Sequence, residues 1–238
     1  MRPAENKGAP FREGRDFGGA FRDKYFRESA FKFKNSLILT PNYEAEFSTG
    51  GGVRYIRSFD NEILFMQEGI FVTYNGILKL PVMEKREIKR QSDRQRLVIE
   101  EKYNFEETFA IKQETVLFYG EPRVDLLVTA EKVFRAASKA ADRQYTLTLH
   151  LIAPEIGETA RWRGAGVPEG EYVAFLTREG ARLEGASEVS LEYGRSDMLL
   201  YPEGGYDIYI KKMDLKLTAA RMGPGKTRIN CRICFKPK

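Results

Sequence analysis

The sequence has little of what most chemistry requires: among 238 residues there are two cysteines, one histidine and one tryptophan. Two cysteines cannot build a disulfide scaffold. Cys231-Arg-Ile-Cys234 offers half of a four-ligand zinc site, and no second pair exists to complete it. On a strand, the three-residue separation also turns the two thiols to opposite faces. A hydrolase with an imidazole base would have to use His150, and no nucleophile-elbow sequence accompanies it. No uncharged apolar run approaches the roughly 18 residues that span a membrane. The N-terminus shows no apolar signal core and the chain no Asn-x-Ser/Thr sequon, so the expectation is a cytoplasmic protein with reduced thiols. Neither a metal nor a cofactor is expected.

Phosphate-binding loops are missing as well. Gly225-Lys226-Thr227 looks like the tail of a P-loop, but Ala220 stands where the leading glycine is needed. β-type sequence follows where a helix should present its N–H groups, so the segment reads as a hairpin turn. Gly164-Ala-Gly166-Val-Pro-Glu-Gly170 lacks the spacing and strand–turn–helix setting of a dinucleotide loop. Residues 153–170 therefore read as a loop carrying Trp162 between Arg161 and Arg163. That ring either stacks on a base, a sugar or a partner, or folds back over a sheet.

Strand signals, by contrast, fill the chain. Gly69-Ile-Phe-Val-Thr-Tyr-Asn75-Gly76-Ile-Leu-Lys-Leu-Pro81 places Asn-Gly, the pair that tolerates both positive-φ positions of a type I′ turn, between two β-forming flanks. Tyr145, Leu147, Leu149 and Leu151 alternate with Thr146, Thr148 and His150, which puts His150 on the polar face of a strand. On the order of 14 to 16 such runs, with Thr129–Ala141 as the one alternative helix, predict a mainly β protein: an antiparallel β-sandwich, supersandwich or jelly-roll-like. No fixed-period repeat points to a propeller or solenoid.

Residues 1–36 differ, and are read as an extended N-terminal arm preceding one sandwich domain over 37–238. Phe11, Phe17, Phe21, Tyr25, Phe26, Phe31 and Phe33 interleave with Arg12, Arg15, Arg22, Lys24 and Arg27. Seven rings are costly to leave in water, so the arm is expected to need a surface. Phe17, Phe21 and Tyr25 are spaced to share a helical face, although Gly18-Gly19 weakens such a helix.

The formal charge of +5 is unevenly spread. Residues 1–36 carry nine Lys/Arg against five Asp/Glu, and residues 211–238 carry nine against Asp214 alone. The body between is acidic, with 21 basic and 28 acidic residues. Basic ends on an acidic body point to an anionic surface or an acidic partner. Candidate partner-binding residues are Phe11, Arg12, Phe17, Phe21, Arg22, Tyr25, Phe26, Trp162, Lys211 and Lys212. Glu100, Glu101, Glu106, Glu107, Glu114 and Asp125 lie on neighbouring predicted strands, where two carboxylates across a cleft would suit glycoside chemistry. One polar sheet face accounts for them equally well.

Gly51-Gly-Val-Arg-Tyr-Ile-Arg-Ser-Phe-Asp60-Asn-Glu-Ile-Leu and Thr115-Val-Leu-Phe-Tyr-Gly-Glu-Pro-Arg123-Val-Asp-Leu-Leu-Val resemble the opening hairpin and the long paired central strands of the galactose-mutarotase-like β-supersandwich, over about residues 50–152. Epimerases of that family use histidine and acidic side chains in the sheet concavity, and this chain offers only His150. The resemblance therefore implies the fold, and no catalytic residue is carried over.

Three functions follow as expectations. The first is a non-catalytic accessory or assembly protein, docked to other subunits of a larger complex through the arm and a basic C-terminal hairpin. The second is a carbohydrate-binding or mutarotase-like domain, which Tyr119, Tyr193, Tyr201, Tyr206 and Tyr209 would suit as stacking rings. The third is nucleic-acid binding, or a viral coat, through the basic ends.

Overall fold

Alternating apolar and polar residues dominate the chain from Leu37 onward, and most such runs become strands. The computed structural model describes residues 31–34, 37–58, 62–90, 95–133, 144–154, 156–164, 172–175, 179–193, 196–203, 207–219, 222 and 225–237. Among them are nineteen strands and no helix. The first six are β1 (Lys32–Lys34), β2 (Leu37–Leu39), β3 (Tyr43–Phe47), β4 (Val53–Ser58), β5 (Ile63–Tyr74) and β6 (Ile77–Lys79). Then come β7 (Val82–Arg90), β8 (Arg96–Phe105), β9 (Phe109–Phe118), β10 (Arg123–Lys132), β11 (Tyr145–Ile152) and β12 (Ile156–Gly164). The last seven are β13 (Tyr172–Phe175), β14 (Ala181–Leu183), β15 (Ala186–Tyr193), β16 (Ser196–Glu203), β17 (Asp207–Lys211), β18 (Asp214–Ala219) and β19 (Lys226–Pro237).

Two antiparallel sheets result. The first has the order β1-β2-β3-β4-β5-β11-β18-β17-β14, with β6 also paired to β5. The second has the order β13-β12-β15-β16-β19-β10-β9-β8-β7. Their inner faces form one apolar layer. Leu147, Leu149, Leu151, Ile208, Ile210, Leu215 and Leu217 meet Leu97, Ile99, Leu117, Val124, Leu126, Val128, Ile229 and Ile233, all buried. Each contributes about 1.5–3 kcal/mol relative to exposure. Tyr43 pins the layers at one edge: its hydroxyl accepts from the Phe118 N–H at 2.9 Å and lies 3.0 Å from the Arg123 carbonyl oxygen. Burial pushes that phenol's pKa up.

The expected sandwich is present, and so is the Asn-Gly hairpin, with Asn75 at φ 49° and Gly76 at φ 75° between β5 and β6. Four expectations are corrected. Strand pairing begins inside the arm, where β1 pairs with β2 and Phe31 packs edge-on against Tyr119. The loop read over 153–170 contains β12, whose alternation is broken by irregular pairing with β15. Thr129–Lys132, the start of the alternative helix, is strand instead, because β10 continues to Lys132. The basic C-terminal hairpin is not a hairpin. β18 pairs with β11 and β17 in the first sheet, β19 pairs with β10 and β16 in the second, and Gly225-Lys226-Thr227 enters β19 from the crossover. No described helix is long and apolar enough to cross a membrane.

Candidate functional site

Two polar clusters stand out, one between the sheets and one on the outer face of the first. Strand alternation explains the inner one. Glu100 and Glu101 are consecutive on β8, so one points outward and the other into the sandwich. Glu101 is fully buried and surrounded by donors: the Gly52 N–H at 2.9 Å, the Tyr103 hydroxyl at 2.9 Å, and Arg86 Nε at 2.7 Å. Arg86 also reaches the Ser48 carbonyl. Beside them Gln67 and Gln113 exchange two amide hydrogen bonds of 2.7 and 2.8 Å, and Gln113 donates to Thr115 at 3.1 Å.

This clasp ties the Gly50-Gly51-Gly52 turn of the first sheet to the second. A Cβ on Gly51 would lie 2.6 Å from the Tyr103 hydroxyl, and one on Gly52 would lie 2.7 Å from Gln67. Both residues have positive φ, so glycine is required twice over. Every strong acceptor here is filled from within the chain, which makes the cluster a structural fastening.

The outer cluster arises from a bulge. His150 of β11 stands opposite Gly69 of β5, while Leu151 stands opposite Gln67, leaving Glu68 as the extra residue. Glu68 Oε2 lies 2.5 Å from His150 Nδ1, and Asp214 Oδ1 of β18 lies 3.1 Å from Nε2. The imidazole is 10% exposed, whereas the Glu68 and Asp214 side chains are 48% and 40% exposed. Phe71 flanks the imidazole with ring centroids 6.0 Å apart.

Register extends this cluster into rows. Gly69, His150, Lys216, Tyr209 and Arg182 stand opposite one another across β5, β11, β18, β17 and β14. The next row is Phe71, Thr148, Thr218 and Asp207, with Thr148 and Thr218 hydroxyls 3.1 Å apart. On the other side lie Met66, Ile152, Asp214 and Lys211. The face thus mixes acceptors, donors and rings, which is the inventory that recognises a polyhydroxylated ligand.

The ligand atoms of Glu68, His150 and Asp214 all lie within 4.8 Å of one another, a set that suits a divalent cation. Lys216, directly opposite His150, works against a cation there.

Of the residues singled out from sequence, Lys211 falls on this face, opposite Asp214. Lys212 lies in the β17–β18 turn at φ 51°. Trp162 is on β12, half-buried and packed against the core. Phe11, Arg12, Phe17, Phe21, Arg22, Tyr25 and Phe26 lie outside the described residues. The carboxylates considered for glycoside chemistry are dispersed. Glu100 and Glu114 are ion-paired with Lys112 on the outer face of the second sheet, Glu106 and Glu107 are in a turn, and Asp125 is held by Arg123. Cys231 is buried and Cys234 half-buried, on opposite faces of β19, and burial raises the Cys234 thiol's pKa. Sequence reasoning missed Glu68 and Asp214, which lie 82 residues before and 64 residues after His150. The one available signal was the place of Asp214 on the polar face of β18.

No protein-family model and no curated protein matches the sequence. Among solved structures, an α-mannosidase from Enterococcus faecalis V583 matches 85% of this chain at 10% identity and TM-score 0.62. An α-N-acetylgalactosaminidase from Bifidobacterium bifidum matches 84% at 9% identity and TM-score 0.56. This chain spans 29% and 36% of those enzymes, respectively. A protein of Escherichia coli K12 assigned as an aldose 1-epimerase is covered over 99% of its length at 9% identity, with a TM-score of 0.47. The structural neighbours are domains of carbohydrate-processing enzymes, and the likeness is one of fold. The antiparallel sandwich expected from the sequence stands at that level.

Proposed function

We propose that this chain is a carbohydrate-related β-sandwich domain that binds sugar on the outer face of its first sheet. The row Gly69–His150–Lys216–Tyr209–Arg182, with the Glu68 and Asp214 carboxylates beside it, carries this reading. Sugar hydroxyls donate and accept in equal measure. The two half-exposed carboxylates offer acceptors, Lys216 and Arg182 offer donors, and Tyr209 offers a ring on which a pyranose face can stack. The likeness of fold to carbohydrate-processing enzymes supports this reading over a purely structural role. The free thiols Cys231 and Cys234 support a cytoplasmic location for the domain.

Titration of the full chain with a panel of monosaccharides and short oligosaccharides tests the proposal. Binding that His150→Ala weakens about tenfold or more is the expected result. Binding to none of the panel overturns it. Acceleration of aldose mutarotation, lost in the same variant, would change the reading from a binding domain to a processing one.

A second reading is attachment to a larger assembly through the arm and Lys211–Lys212. In its favour is the exposed apolar strip Ile77, Leu78, Leu80 and Val82 at the β6–β7 corner. Deleting residues 1–30, which stops short of Phe31 and β1, should then abolish co-purification with that assembly while leaving the melting temperature unchanged.

A further inference from the structure

We infer that the sugar taken by this face carries an anionic group, and that Lys211 and Lys216 receive it. The inference rests on the sugar-binding reading and adds the class of sugar. It comes from an imbalance in how charges are paired. On β5, β11, β18, β17 and β14, each described carboxylate of the outer face has a partner. Glu68 and Asp214 are held by His150, and Asp207 is held by Arg182 at 2.5 Å. Glu184, in the turn after β14, is also within 3.3 Å of Arg182. The Lys211 and Lys216 side chains, by contrast, have no ion pair or hydrogen bond among the described residues.

The geometry explains why. Asp214 is directly opposite Lys211 and two residues from Lys216 on the same face, so it is the natural counter-ion for either. His150 takes it instead. Glu68, the next acid along the face, goes to the other nitrogen of the same ring. Both central carboxylates are thus turned toward one imidazole, and the two lysines beside them are half-buried on the sheet with no described carboxylate within 4 Å.

The second sheet supplies an internal contrast. On its outer face Lys85, Lys89, Lys102 and Lys112 all have a carboxylate within 4 Å, from Glu87, Glu100 or Glu114. Lysines in this protein are paired where acids are at hand. Lys211 and Lys216 flank an acid that is committed elsewhere. A carboxylate or phosphate on a sugar would meet two ammonium groups already in place, with Tyr209 between them in the register: it precedes Lys211 by two residues and stands opposite Lys216. A neutral sugar would leave both without a counter-ion.

The test compares galacturonate and glucose 6-phosphate with galactose and glucose, titrated calorimetrically into the full chain at low salt. The variants are Lys211→Gln, Lys216→Gln and the double substitution, with melting temperature followed in each. The expected result is binding of at least one anionic sugar about tenfold tighter than its neutral counterpart. The double variant should reduce that preference to within about twofold by weakening the anionic sugar more than the neutral one, with the melting temperature unchanged, and added salt should shrink it in the wild type. A preference for the uronate identifies a carboxylate ligand, and one for the ester identifies a phosphate. Equal affinity for charged and neutral sugars overturns the inference while leaving the sugar-binding reading intact. A preference that survives the double substitution removes the two lysines from it. Binding of neither class overturns both.

Discussion

The Glu101 clasp and the His150 cluster are built from the same kinds of group, yet they differ in what is left over. At Glu101 the carboxylate is sealed from water and filled by a backbone N–H, a phenol and a guanidinium. At His150 the ring is nearly buried, but the two carboxylates that hold it keep 48% and 40% of their side-chain surface. A satisfied buried cluster has no capacity for a ligand and contributes to stability. A cluster whose acids remain wet retains free lone pairs and can change partners. The position of each group relative to the sheet, more than its chemistry, separates a sealed fastening from a cluster open to solvent.

The largest effect that would sharpen this contrast is expected from Glu101→Ala. Removing a buried acid strands Arg86, the Tyr103 hydroxyl and the Gly52 N–H, at about 3–5 kcal/mol. Urea unfolding measures the loss, and sugar affinity per folded molecule should not change. If the variant unfolds at the wild-type midpoint, the clasp does not fasten the sheets.

Gly52→Ala follows at about 1–3 kcal/mol, because the added Cβ meets Gln67 in a left-handed backbone conformation. Thermal unfolding reads it, and a melting temperature within a degree of the wild type breaks the argument.

His150→Ala should cost only about 1 kcal/mol, since its partners are half in water. The same variant carries the main loss of binding proposed above. A large loss of stability with binding retained would place His150 with the interior fastenings.

The smallest effect is one of pH. Glu100, the outward neighbour of Glu101, is held at about 2 by hydrogen bonds from Lys89 and Lys112. Its folded-state value is below its unfolded value. Its contribution is therefore fully present above the ordinary carboxylate range and is lost as pH falls through about 2. Glu100→Gln should lower stability at pH 7 and flatten its decline between about pH 4.5 and 2. Parallel acid-unfolding curves for the two proteins would remove Glu100 from that decline.

Much of the fold was legible because alternation is a local signal. β11 and the Asn75-Gly76 hairpin could be read in windows of ten residues. Pairing between distant strands was not legible in that way. β18 and β19 look like two arms of a hairpin, and only their partners, β11 and β10, show that they belong to different sheets. β12 escaped because its irregular pairing removes the period. The outer cluster was hidden for a related reason. His150 was visible on the polar face of its strand, but Glu68 sits on a bulge that no alternation rule predicts, and Asp214 arrives through the register of β11 with β18. Glu101 is indistinguishable by type from Glu100, and only the inward parity of β8 tells them apart.

The bulge in β5 has a consequence for inheritance. Gln67 belongs to the interior network and Glu68 to the outer cluster, so adjacent codons specify parts of both. Point mutations can alter either cluster alone. Loss of codon 68 would instead remove the extra residue and leave regular alternation, with Gln67 and Ile70 still facing inward and Gly69 outward between them. Such a deletion would take one acid from the outer cluster and leave the interior fastening in register, so the length of this strand can change by that one residue without unfastening the sheets.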